Sequence, residues 1–154
     1  MKVFLSYGSA GDQVTALRLQ ALAAVNGLTA YVPPAYTRDS KARVLDGDTA
    51  SRIGDADVVL GVIATGLSEA CRQELNTGLA LRKPTIVMAE LGYARDLAPV
   101  LGANVIVIDP AAPEQAEHGI VQHLKAIDAE QSAKTALLAL GTVALGLLIF
   151  APQD

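Results

Sequence analysis

The sequence predicts a three-layer α/β domain built on five parallel strands, with a separate apolar helix at its C-terminal end. Three observations carry that expectation. Short apolar runs alternate with helix-like patterns through residues 1–131, as crossover connections between parallel strands require. Proline and glycine fall where those runs stop. A final uncharged stretch, 135–151, then follows an α/β pattern that is already complete.

Val3–Tyr7 reads as the first strand, ending in the small and polar residues that follow Leu5. Val14, Leu17, Leu19, Leu22 and Val25 recur at helical spacing, and Asn26-Gly27 stops that helix. Leu28–Val32 is the second strand, closed by Pro33-Pro34, which cannot continue a ladder. Residues 35–44 form a polar loop, and a short helix over 45–54 leads to a third strand at Asp57–Ile63. The helix within 66–81 ends at Arg82-Lys83-Pro84, where basic residues suit a helix C-terminus. Thr85–Ala89 and Val105–Ile108 are the fourth and fifth strands, with a short helix over 93–101 between them. Asp109-Pro110 offers an N-cap with proline at the first helical position, and Ile120, Val121, Leu124 and Ile127 give the last helix its apolar face.

The 154 residues suit one domain, taken as 1–131, plus a tail at 132–154. Hydrophobic residues make up 51% and charged residues 18%, more apolar than an ordinary soluble domain. That excess points to the tail. Residues 135–151 carry no charge, and as a helix they span about 25 Å, the short end of a bilayer crossing. Lys125 and Lys134 precede the stretch, which puts the α/β domain in the cytoplasm, anchored to the inner membrane. Thr142 and Gly146 have the spacing that brings two membrane helices together. A buried helix or an oligomer seam is the alternative for the same residues. A net charge of −4 argues against nucleic acid as partner. The single cysteine, Cys71, excludes an internal disulfide, and no Cys/His grouping predicts a metal. The first residues show no leader pattern, with Lys2 the one basic residue before the strand.

Glu74 is the residue that most invites a functional reading. It lies in a semi-apolar helix that rises from the end of an apolar strand, and strand ends of open α/β sheets form the ligand crevice. Cys71 shares its helix face and reads as a small packing residue. Phe4-Leu5-Ser6-Tyr7-Gly8-Ser9-Ala10-Gly11-Asp12 resembles the opening of a bacterial TIR (Toll/interleukin-1 receptor) domain. Asp55-Ala56-Asp57-Val58-Val59-Leu60 resembles the start of that family's third strand, and Ser68–Leu75 its helix ending in Cys-x-x-Glu-Leu. Lys83-Pro84-Thr85-Ile86-Val87 resembles its entry to strand four. The resemblance covers roughly residues 1–110. Two departures stand out: Ala70 replaces a frequent tryptophan, and Pro33-Pro34 followed by Arg38-Asp39-Ser40-Lys41 replaces an acidic, Pro-Gly-containing loop. In the family that loop mediates assembly and gates the substrate. The run Glu74–Pro84 also loosely resembles nucleoside deoxyribosyltransferases.

The resemblance implies a flavodoxin-like fold and cleavage of NAD between nicotinamide and ribose. Glu74 would then be catalytic, offsetting the positive charge that develops at the anomeric carbon. Ser6, Tyr7 and Gly8 would line the cleft, while Tyr36 and Arg38 would stack on or pair with the dinucleotide. NAD or a related nucleotide is substrate, with no cofactor and no metal expected. Bacterial proteins of this build resemble anti-phage immune components and form homo-oligomers. Two other functions remain open at this point. One is a non-enzymatic scaffold or sensor that oligomerises at the membrane; the other is a deoxyribosyltransferase-like enzyme with Glu74 as nucleophile.

Overall fold

Val58–Ile63 is buried at all six positions, which a strand shows only when both faces of its sheet are covered. This strand is β3, at the centre of the molecule. The structure, a computed structural model, describes residues 1–41, 44–109 and 111–131. Its other strands are β1 (Lys2–Tyr7), β2 (Thr29–Tyr31), β4 (Thr85–Ala89) and β5 (Val105–Val107). The helices are α1 (Gln13–Val25), α2 (Gly47–Asp55), α3 (Glu69–Ala80), α4 (Leu91–Leu101) and α5 (Pro113–Gln131).

The five strands form one parallel sheet in the order β2-β1-β3-β4-β5. Alternation along each strand sends side chains to two cores. Val3, Leu5, Leu60, Val62 and Met88 pack with Leu19 of α1 and with Ile120 and Leu124 of α5. Phe4, Val59, Ile63 and Val87 pack with Ile53 of α2, Leu75 of α3 and Leu97 of α4. The expected three layers and five parallel strands are therefore present.

Several local expectations need correction. β2 and β5 are each three residues long, shorter than expected, because an edge strand has one neighbour and Pro33 ends β2 early. The last helix starts at Pro113 rather than at Pro110. Residues 35–39 are no plain polar loop but a helical turn with Arg38 buried. In α1 the core takes Ala16, Leu19 and Ala23, whereas Val14, Leu17 and Val25 are 63%, 46% and 86% exposed. Apolar residues lie on more than one side of the helix, so spacing alone gives no phase, and small side chains let it sit close to the sheet. No helix among the described residues is long and apolar enough to cross a membrane. The apolar helix expected at 132–154, with its membrane anchor, lies outside the described residues.

α3 crosses β3 at a glycine. A Cβ on Gly78 would stand 2.8 Å from Val59 Cγ2, inside the distance real Cβ atoms keep. Helix propensity favours Gly78→Ala by about 1 kcal/mol, but overpacking a core costs about 1–3 kcal/mol. The substitution is expected to lower the urea midpoint despite the better helix former.

Candidate functional site

The site starts from the way β1 ends. Gly8 accepts the Ser68 N–H through its carbonyl at 2.7 Å and donates its own N–H to Val62 O at 2.8 Å. A Cβ at Gly8 would fall 1.8 Å from Gly66 O. Gly8 is thus a crossing point between two backbone segments rather than part of a cleft wall. Asp12 reinforces that crossing. Its buried carboxylate accepts the N–H groups of Ala64 (3.3 Å) and Thr65 (3.0 Å) just past β3.

α3 begins at this crossing with Ser68 as N-cap, its hydroxyl accepting the Cys71 N–H at 3.2 Å. Cys71, Glu74, Leu75 and Gly78 then face inward, the i, i+3, i+4, i+7 stripe of one helix side. Ser6 on β1 meets that stripe. Its hydroxyl donates to Glu74 Oε2 at 2.6 Å and lies 3.1 Å from Cys71 Sγ.

Arg38 reaches the same carboxylate from the opposite side. Pro33-Pro34 turns the chain away from β2 into the turn Ala35–Asp39. Arg38 Nη1 donates to Glu74 Oε2 at 3.0 Å and to the Tyr7 carbonyl at 2.7 Å, while Nη2 donates to Glu74 Oε1. Its guanidinium carbon is 4.4 Å from the centre of the Tyr7 ring, a cation–π distance. The Tyr7 hydroxyl donates to Pro33 O at 2.8 Å, which ties the start of the turn to β1. Side chains of Glu74 and Arg38 are each 1% exposed.

Burial pushes the Glu74 carboxyl above the ordinary glutamate range, and Arg38 and Ser6 pull against that push. Burial works against the charge of Arg38 too, but the hydrogen bond and charge of Glu74 more than offset it and hold the guanidinium protonated. Burial also raises Tyr7, with Arg38 opposing. The Cys71 thiol is pushed up to about 12, by burial first and then by the charge of Glu74. It is no nucleophile.

One face of Glu74 borders a cleft of about 220 Å³ walled by Tyr36, Leu45, Asp46, Thr49 and Ala70. Asp46 N-caps α2, and hydrogen bonds from the Thr49 N–H and hydroxyl hold its carboxyl below the usual range. Among the described residues the cleft wall therefore carries two carboxylates, Glu74 and Asp46, and Arg38 already engages the first of them.

The structure thus brings Ser6, Tyr7, Arg38 and Glu74 into one buried cluster and leaves Tyr36 exposed at the cleft. Arg38 faces Glu74 rather than open space. Sequence reading missed Asp46, whose signal is an N-cap aspartate three residues before a threonine. No grouping of three metal-ligand residues occurs among the described residues.

No protein-family model matches the sequence, and no curated protein matches it either. Among solved structures the chain is similar to the TIR domains of the activated Roq1 resistosome that directly recognises the pathogen effector XopQ. The TM-score is 0.50 at 13% identity, over 99% of this chain and 85% of that one. The fold is TIR-like. At that identity the likeness speaks for fold alone, and nothing in it supports a deoxyribosyltransferase.

Two outcomes follow from the geometry of this site. Arg38→Met strands a buried carboxylate and is expected to cost about 3–5 kcal/mol, whereas adding Glu74→Met recovers most of the loss, as read from urea denaturation. Cys71 is expected to resist iodoacetamide at pH 8 in the native protein and to react only on unfolding.

Proposed function

We propose that this TIR-like chain is an NAD glycohydrolase in which Glu74 is the catalytic carboxylate. The observation that supports the reading is a buried glutamate at the wall of a cleft, fixed by Ser6, with the Asp46 carboxylate on the same wall. A volume of about 220 Å³ is below the roughly 300–1,000 Å³ of drug-sized ligand sites. It accommodates one end of a dinucleotide, with the remainder outside. With Glu74 paired to Arg38, the Asp46 carboxylate favours the end that carries positive charge, the ribosyl pyridinium.

In the reaction the bond between C1′ and the pyridinium nitrogen breaks, and its electron pair neutralises nicotinamide. The positive charge moves onto C1′ and the ring oxygen, where Glu74 is placed to offset it. Water then adds to C1′ and loses a proton, giving ADP-ribose. Both Glu74 oxygens are occupied by Arg38 and Ser6 in this structure. The reacting state therefore requires the turn at residues 35–39 to carry Arg38 off the carboxylate, which leaves Tyr36 and Arg38 to meet the rest of the substrate. Those occupied oxygens also favour a second reading, a non-enzymatic scaffold in which the ion pair is purely structural.

Nicotinamide release by the full-length protein separates the two. Release that drops by about 10²–10³-fold in Glu74→Gln is expected for the enzyme; no release from any preparation of a folded protein leaves the scaffold. The rate is expected to rise with pH as Glu74 loses its proton, along a limb above the ordinary glutamate range, because burial raises that carboxyl. Removing the opposing charge with Arg38→Gln is expected to move the limb to higher pH.

A further inference from the structure

The strand order β2-β1-β3-β4-β5 reverses between β1 and β3, the place where an open α/β sheet ordinarily takes a ligand at its carboxyl edge. Here that place is filled. Gly66 O stands against the Cα of Gly8, and the Ser9 and Thr65 hydroxyls meet beside it. Space at this edge is left to either side of the crossing. The Glu74 cleft lies towards α2 and α3. A second cavity, of about 190 Å³, lies on the opposite face of the sheet, between Thr15 of α1 and Glu117 of α5.

The apolar part of this cavity comes from Ala64, Met88 and Ile108, at the ends of β3, β4 and β5. The Glu90 N–H donates to Ile63 O at 2.9 Å and the Ile108 N–H to Ala89 O at 2.8 Å, which hold the three ends together. The polar part is made of acceptors. Glu117 is buried and already neutralised by Arg18, whose Nε donates to Oε2 at 3.3 Å and whose Nη2 donates to Oε1. Glu90 caps α4, its Oε2 accepting the Gly92 N–H at 3.0 Å. Among the described residues the other Glu90 oxygen and the Thr15 hydroxyl have no hydrogen bond, and no cation lines the cavity.

We propose that this cavity is a second ligand site, for a small organic ammonium with a short apolar body. An ammonium brings donors alone, and Glu90 and Thr15 offer the acceptors. The apolar body would lie on Met88 and Ile108. A carboxylate would meet Glu90 with like charge, and the start of α5 offers it little. Pro113 lacks an N–H, and that of Gln115 is held by Ala112 O. The volume lies below the roughly 300–1,000 Å³ of drug-sized sites, so the ligand is small.

The test is a methyl NMR titration of the full chain with butylammonium, beside 1-butanol and butyrate, and it is independent of nicotinamide release. The Met88 and Ile108 methyl signals are expected to shift saturably with butylammonium, and 1-butanol to bind about tenfold more weakly or less. Butyrate is expected to leave them in place. Glu90→Gln keeps an oxygen for the Gly92 N–H and is expected to weaken butylammonium by a similar factor. Absence of a saturable shift overturns the proposal, as does equal affinity for 1-butanol or an unchanged affinity in Glu90→Gln. A titration weakened by Asp46→Asn instead places the cation in the Glu74 cleft and overturns it too.

Discussion

A carboxylate and a guanidinium leave water together at the carboxyl edge of the sheet, and the surroundings of the site are arranged around that event. An isolated buried charge costs several kcal/mol even after relaxation. Glu74 is tolerated at 1% exposure because Arg38 meets both of its oxygens and Ser6 donates to one. Arg38 in turn needs acceptors for its remaining donors, and the Tyr7 carbonyl and Thr37 Oγ1 supply them. The path of residues 33–39 follows from these demands. Two prolines end the edge strand, the Tyr7 hydroxyl holds the first of them, and one helical turn delivers Arg38.

The same pair sets what the cleft can bind. Arg38 and Glu74 neutralise one another, so among the described residues the charge on the cleft wall is that of Asp46, set among apolar neighbours. Charge balance within the interior and the charge of the cleft wall are thus one arrangement seen from two sides.

The strands were legible because continuous apolar runs such as Val58–Ile63 have little choice but a doubly covered sheet. The helix that carries Glu74 was legible from its apolar spacing and the basic residues after it. The phase of α1 was not. Apolar residues fall on more than one of its sides, so Val14, Leu17 and Val25 fit a core stripe as well as Ala16, Leu19 and Ala23 do, and only packing against the sheet decides. Arg38 was read as a loop cation because its partner is 36 residues away and reaches it only through the strand order. Gly8 carries no sequence sign of its function either, since the need for hydrogen at that Cα comes from Gly66 crossing it.

In the proposed reaction the carboxylate must stay in place when its counter-ion leaves. Here the two are positioned by separate means. Glu74 rides on α3, whose first turn is fixed by the Ser68 cap, by the Ser68 N–H bond to Gly8, and by Asp12 holding the residues just past β3. None of those contacts involves residues 35–39. Arg38 belongs to a short turn at the edge of the sheet, tied back through Tyr7 and Pro33. Withdrawal of that turn therefore removes the cation and leaves the Ser6 hydrogen bond and the helix register intact. The ground state is stabilised by an ion pair, and the geometry of the reacting group is inherited from the sheet.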